Sequence, residues 1–345
     1  VEFRIFGASP IVLVATVDEE KTMTKVVRVK SPGGVEQFEI AEIELPPPAA
    51  DEVRIRQTAI GVNFVDIYQR SGLYPMPPAN IPGVEGVGVI AAVGANVTSV
   101  RPGDRIAYAG APVGAYAAER NLPAWRVVRL PDELSDEAVA SSFVKGITAH
   151  MLLDRVYPVV SGTTLLVHSA AGGLGQLLTR WATHRGATVI GTVGSQAKAA
   201  IARQAGAAHI IVGRDADFAQ AVADFTGKRG VDVAYDGVGG ATLAKTLACV
   251  RPFGVAASVG QAAGPIPPVD VGDLGPRRSL SLARPSVMAY LNETAAYRAA
   301  TEAVLEGIQS GILRVSGQSY PLSEAARAHA DLEAGSTSGA LYLRP

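Results

Sequence analysis

The sequence predicts a mixed α/β protein of two units, one a doubly wound parallel sheet and the other a compact, β-rich, barrel-like body. Three observations carry that prediction. Strand, small-residue turn, helix and strand follow one another across residues 163–194. Short apolar strands at 209–212, 231–235 and 255–259 then alternate with helical stretches, repeating the βα theme of a doubly wound sheet. The first third of the chain is instead made of short β segments punctuated by Gly and Pro. At 345 residues the chain is long enough for two domains, each with its own core.

Taken in order, residues 1–22 read as an upstream extension that contributes little to function, since Met23-Thr24-Lys25 looks like a natural start. The apolar run at 11–15 is too short to span a bilayer and lacks the cationic start and cleavage site of a signal peptide. Alternating strands over 25–48 break at Ser31-Pro32-Gly33-Gly34 and stop at Pro46-Pro47-Pro48. A strand is expected at 51–60, a helical segment with a polar-tipped loop at 61–75, and further strands turning at Pro102-Gly103-Asp104. Ser135, Asp136 and Glu137 open a helix within 132–153. Beyond the doubly wound part, an edge strand is expected at 279–282, a helix at 292–310 and a return to β at 340–343, so the C-terminal part should rejoin the first unit. The division is therefore an extension (1–22), a β-rich unit (23–146 with 286–345) and a doubly wound unit (147–285).

The turn at 169–175 carries the most chemistry. Five apolar or β-branched residues and His168 lead into Ser169-Ala170-Ala171-Gly172-Gly173, and from Leu174 a helical stripe continues through Leu177, Leu178 and Trp181. Ala170-x-Gly172-x-x-Gly175 is G-x-G-x-x-G with alanine in the first place, in the strand–turn–helix context that a dinucleotide fingerprint requires. Gly172 would let a pyrophosphate approach the backbone, Gly175 would let the helix pack on the strand, and the helix N-terminus would offer unpaired N–H groups. Tight packing alone could also produce such a turn in a chain with 37 glycines. No Asp or Glu follows Gly175 before Asp215, so the acidic residue that binds a ribose 2′-OH in NAD sites is missing. The interval instead holds Arg180, Arg185, Lys198, Arg203 and Arg214. Arg180, Arg185 and Arg203 read as solvated helix faces. Lys198, just past Gly194 and Ser195, lies where a 2′-phosphate would.

Net charge is −1, which asks for neither nucleic acid nor an anionic membrane. Cys249 is the only cysteine, which excludes an intrachain disulfide and a cysteine-built zinc site and suits a reducing cytoplasm. His150, His168, His184, His209 and His329 show no i, i+4 pairing and read as packed or surface residues.

The stretches AIGVNFVDIYQRSGLYP, FVKGITAHMLL, HSAAGGLG, VAYDGVGG and ARPS together resemble the quinone oxidoreductase (zeta-crystallin-like) branch of the medium-chain dehydrogenase/reductases, over nearly all of residues 24–345. The resemblance implies a GroES-like catalytic domain joined to a Rossmann domain. Relatives that are alcohol dehydrogenases hold zinc through a cysteine and the histidine of a Gly-His-Glu-x-x-Gly motif. Here Asn63 and Val84 stand in those places and the structural-zinc loop is absent, so the resemblance implies no metal and hydride transfer without a Lewis acid. Implied NADPH contacts are Ala170, Ala171, Gly172, Gly173 and Leu174 at the pyrophosphate, Gly194, Lys198 and Arg214 towards the 2′-phosphate, and Asn63, Thr148, Val238, Gly260 and Gln261 on the nicotinamide side. Asn63, Tyr68 and Tyr74 are the implied catalytic residues, the tyrosines lining a slot for a planar acceptor; ordinary helix packing is the alternative for Tyr68. Two phosphate contacts of relatives are replaced, by Gly213 before Arg214 and by Glu333-Ala334-Gly335-Ser336. The expected activity is NADPH-dependent quinone reduction, with reduction of an activated alkene (an enone or enoyl thioester) as the alternative. Some relatives serve as lens structural proteins or RNA binders; the charge balance argues against RNA here, and the retained turn and Asn63 argue against a purely structural role. A homodimer is expected.

Overall fold

The computed structural model describes residues 22–76, 78–276 and 278–345. The apolar run at 11–15 and all but the last residue of the expected extension lie outside these. That last residue, Thr22, opens β1 (Thr22–Val29), which pairs antiparallel with β2 (Phe38–Leu45). β3 (Glu52–Val62) continues two residues past the expected stop, because its end pairs with the C-terminal strand through Leu341↔Val62 and Tyr342↔Gly61. Helix α1 (Phe64–Ser71) follows and is closed by Gly72 at φ 82°, a conformation glycine adopts without strain. β4 (Glu85–Val93), β5 (Arg105–Ala109), β6 (Glu119–Pro123) and β7 (Val127–Arg129) complete an antiparallel set around β3 and β4. Helix α2 (Asp136–Met151) begins as expected at Ser135, whose hydroxyl accepts the Ala138 N–H at 3.2 Å.

The second unit winds through β8 (Thr164–Val167), α3 (Gly173–His184), β9 (Thr188–Val193), α4 (Gln196–Gln204), β10 (His209–Val212), α5 (Phe218–Phe225), β11 (Val231–Asp236), α6 (Thr242–Cys249), β12 (Val250–Ser258) and β13 (Ser281–Ala283). Its six strands are all parallel, in the order β10-β9-β8-β11-β12-β13. The chain winds outward from β8 one way and from β11 the other, so the switch point of the sheet lies between them. β12 starts five residues earlier than expected. A kink at Arg251–Gly254, with Phe253 at φ 60°, shifts the register between Val231↔Val250 and Val233↔Val255 and breaks the apolar pattern.

The helix expected at 292–310 is α8 (Thr294–Gln309); a short helix that was not expected, α7 (Val287–Asn292), precedes it, divided from it at Glu293, whose ψ of 103° is extended. β14 (Gly317–Pro321), α9 (Ala325–Glu333) and β15 (Ala340–Arg344) close the chain; β15 lies antiparallel to β3 and carries β14 at its outer edge. The largest apolar cluster runs through α2, which packs on α3 and α8 and on β3 and β4, so this helix belongs to the core of both units. Gly146 makes the α2–α8 contact close: a Cβ there would meet Val304 at 2.9 Å.

Candidate active site

The C-terminal ends of the six parallel strands form one rim of a cleft, the edge at which ligands collect in open α/β sheets. At the end of β8 the turn swings through Ser169 at φ 53° into α3. The two fingerprint glycines have different reasons to be glycine. A Cβ on Gly175 would lie 2.3 Å from Ser169 O and 2.8 Å from Ala170 Cα, so this residue lets the helix sit on the strand end. A Cβ on Gly172 would meet nothing closer than Ser169 O at 3.2 Å, which leaves its outer side open to a ligand. Ala170 and Ala171 are buried behind the turn, and Leu174 is half-buried beside it. The first N–H groups of α3 have no intrahelical acceptor and add partial positive charge there.

Next along the rim, Gly194 follows β9, with Arg214 3.7 Å from where its Cβ would be. Lys198 Nζ donates to Gly335 O at 2.6 Å, and Arg214 Nη2 donates to Ala334 O at 3.4 Å. Burial, with Arg214 a lesser cause, pulls the Lys198 pKa down. The C-terminal segment thus lies against the two cations: Gly339 N also donates to Ala171 O at 3.1 Å. At the end of β11, Asp236 Oδ1 accepts from Val238 N (2.8 Å) and Gly239 N (2.9 Å), and Oδ2 accepts from Thr246 Oγ1 (2.9 Å), which fixes the Val238 loop. After β12, Gly260 N reaches Asp236 O at 3.2 Å and Gln261 N donates to Tyr68 OH at 2.7 Å.

That last bond crosses the cleft to the β-rich unit. Tyr68 is buried on α1, its ring edge-on to Tyr74 at 5.2 Å between centroids and 6.1 Å from Phe64. Burial raises its pKa, and the Gln261 N–H works against that rise. A cavity of about 430 Å³ beside it is lined in part by Phe64, Tyr68, Leu73, Gln261 and Glu333. Tyr68 therefore packs against its neighbours and also lines this cavity.

Asn63 sits at the start of α1, where the Asp66 carboxylate accepts its backbone N–H at 2.9 Å. Its side chain is held by ions. Lys145 Nζ donates to Asn63 Oδ1 (3.0 Å) and Val62 O (3.2 Å), while Asn63 Nδ2 donates to Glu85 Oε1 at 2.8 Å. Glu85 is 1% exposed and also accepts from Val144 N at 2.8 Å; its Oε1 is 3.6 Å from Lys145 Nζ. The ammonium fixes which end of the amide is oxygen, and one Nδ2 hydrogen remains for a ligand. Lys145 also passes the fingerprint, since a Cβ on Gly173 would meet its Cδ at 2.9 Å. Thr148, one turn further along α2, donates its hydroxyl to Val144 O at 2.8 Å and is left able only to accept. The donor set around Asn63 does not suit a metal: an ammonium already occupies the oxygen-lined position a cation would take, and Val84 is buried with no donor atom.

Beneath Asn63 lies a buried polar chain. Tyr116 OH donates to Asp66 Oδ2 (3.2 Å) and meets His329 Nε2 (2.8 Å). Burial pushes Asp66 up to about 7 and His329 down to about 3. His168 bonds Thr192 and Thr246, and His150 bonds Tyr290, so these rings are packed structural groups.

The chain matches the family model "Alcohol dehydrogenase GroES-like domain" over residues 49–132 and the model "Zinc-binding dehydrogenase" over 173–306. It is 39% identical to a quinone oxidoreductase of Pseudomonas aeruginosa, across 94% of this chain and 100% of that one. It belongs to the quinone oxidoreductase family. A 2-haloacrylate reductase from Burkholderia sp. is also 39% identical, across 94% of this chain and 99% of that protein. The crystal structure of Escherichia coli quinone oxidoreductase complexed with NADPH superposes with a TM-score of 0.90 at 36% identity, covering 93% of this chain and all of that one. The GroES-like plus Rossmann architecture implied by the resemblance is therefore that of the family.

In this member of the family, the fold brings Ala170–Leu174, Gly194, Lys198, Arg214, Val238, Gly260 and Gln261 to one sheet edge, and Asn63, Tyr68 and Tyr74 to the facing unit, with Thr148 on the helix between. Sequence reasoning about single residues passed over Glu85, Lys145, Asp66 and Arg284. Glu85 and Lys145 did carry a signal: each stands in an apolar run, Val84-Glu85-Gly86-Val87 and Phe143-Val144-Lys145, where a charge needs a buried partner.

Proposed function

We propose that this protein is a zinc-independent, NADPH-dependent reductase of quinones. The observation that carries the reading is the Tyr68 OH–Gln261 N contact, which sets an aromatic slot across from the C-terminal end of β12. Bound NADPH would supply hydride from its nicotinamide. Lys198 and Arg214 would hold the 2′-phosphate, and Gly172 with the start of α3 the pyrophosphate. Tyr68 and Tyr74 would lay a flat acceptor over the ring, and the free Asn63 N–H would meet its oxygen, so that rate arises from proximity and preorganised dipoles. The likeness to a 2-haloacrylate reductase favours activated alkenes as the second reading.

In this reading residues 23–146 with 286–345 form the catalytic unit and 147–285 the cofactor unit, the protein works in the cytoplasm, and it is a homodimer. The outer edge of β13, to which no strand pairs among the described residues, supports the last point, and light scattering tests it.

Two experiments test the activity. A charge-assisted phosphate contact is worth about 1.5 to 3 kcal/mol, so Lys198→Ala should weaken NADPH by about 10- to 150-fold and leave NADH nearly unchanged. Equal losses would make Lys198 a support of the 334–339 segment only. A panel of benzoquinones, naphthoquinones, enones and enoyl thioesters at equal concentration, run with and without chelator, should give the highest kcat/KM with a quinone and no chelator effect. A preferred alkene would install the second reading, and activity lost with one bound zinc per chain would end the zinc-independent one.

A further inference from the structure

Arg284 stands one residue beyond β13, on the same C-terminal sheet edge as Gln261. Its Nη1 donates to Ser258 O (3.0 Å) and Ser258 Oγ (2.8 Å), and its Nη2 reaches Tyr74 OH at 3.4 Å. These contacts pin the guanidinium beside the Tyr68–Tyr74 pair, and all its acceptors are neutral. The other cations of this half of the cleft are matched by carboxylates, Lys145 by Glu85 at 3.6 Å and Arg70 by Glu333 at 2.7 Å. Among the described residues no carboxylate forms an ion pair with Arg284. Three of the five N–H donors of its guanidinium are engaged, which leaves two for a ligand.

We propose that Arg284 binds the charged oxygen of the substrate, and that this protein therefore takes α,β-unsaturated carboxylates as well as quinones. The proposal rests on the reductase reading above. With an acrylate-type acid, hydride adds to Cβ, the C=C pair moves towards the carboxylate, and Cα takes a proton from water; the acceptor gains two electrons and the nicotinamide is oxidised by two. The carboxylate is charged before the reaction and gains charge during it. A quinone is neutral when it binds and becomes a hydroquinone anion on taking hydride, then a hydroquinone on taking a proton from water. Arg284 thus acts on both binding and rate for the acid, and on rate alone for the quinone.

The test compares wild type, Arg284→Met and Arg284→Lys with 2-chloroacrylate and 1,4-benzoquinone, together with NADPH affinity by fluorescence and binding of benzoate, an unreactive carboxylate, to the NADP⁺-loaded protein. Arg284→Met should lower kcat/KM for 2-chloroacrylate by about 10- to 150-fold with a raised KM. For benzoquinone the loss should fall on kcat, and NADPH affinity should stay within about twofold, since no cofactor charge is removed. Arg284→Lys should recover part of the acid's KM, because the charge remains but the planar fork is lost. An unchanged KM for 2-chloroacrylate in Arg284→Met, NADPH affinity falling in step, or a wild type that reduces benzoquinone but not 2-chloroacrylate each overturns the proposal. If wild type reduces neither, the reductase reading fails; benzoate binding to wild type but not to Arg284→Met still upholds the Arg284 site, and equal binding rejects it.

Discussion

The two walls of the cleft are made of different materials. The sheet-edge wall is largely backbone: glycines, short strand ends and helix-start N–H groups, with Lys198 and Arg214 at its far end. The facing wall is made of side chains, Asn63 clamped between Lys145 and Glu85, with Asp66, Tyr116 and His329 beneath it. In stability, the first wall should fail when a Cβ is added at its close-packed glycine, Gly175, and tolerate a change of charge, whereas the second should do the reverse. Backbone is limited by volume and buried ions by their partners.

The largest expected effect lies in the first wall. Gly175→Val must displace Ser169 and Ala170, at the far end of what one substitution does, about 4 kcal/mol or more. Thermal melting should show the protein unfolded or insoluble; a near-native Tm would mean that the turn yields and the wall is not limited by volume. In the second wall, Lys145→Met strands the Glu85 charge and should cost about 3 kcal/mol. Adding Glu85→Gln should bring the double variant below the sum of the single losses, measured by urea denaturation; additive losses would show that the two residues act separately.

A smaller effect separates Asp66 from His329. Asp66, raised to about 7, keeps a proton that the unfolded chain loses near its ordinary carboxylate pKa, so its contribution falls as pH rises from about 4 to 7. His329, depressed to about 3, stays neutral while the unfolded chain takes up a proton, so its contribution falls as pH drops from about 6.5 to 3. Between about pH 4 and 6.5 the slopes oppose, each at most about 1.4 kcal/mol per pH unit, and wild-type stability should be nearly flat. Asp66→Asn should lose stability on acidification across that window and His329→Phe should gain it. Parallel profiles for the two variants would refute the linkage. The smallest structural effect is expected from Gly172→Ala, whose Cβ meets only Ser169 O, at 3.2 Å, a contact that a shift of a few tenths of an ångström relieves: Tm should fall little while NADPH affinity drops, and a large Tm loss would erase the contrast with Gly175.

The doubly wound sheet was readable in advance because its strands are local apolar runs and its turn is a contiguous string of small residues, so that the turn at 169–175 and the place of Lys198 just past a strand end could be read from spacing. Other elements had no local signature. β14 buries one residue in five and exists through pairing with β15, and β12 hides its start behind the Phe253 kink. Helices α7 and α8 separate at Glu293, a residue with no breaker character of its own.

The order of apolar runs, the small-residue turn and the absence of an acid before Asp215 were determined by the sequence itself, because hydrophobic period and backbone freedom act between near neighbours. That Lys145 meets Asn63 across 82 residues, that Gly335 meets Lys198 across 137, and that Arg284 stands at Tyr74 across 210 was decided only by the tertiary structure. A buried charge or a strand end must find a partner, and nothing along the chain says which of many equally suitable groups the closing of β15 onto β3 will bring within reach.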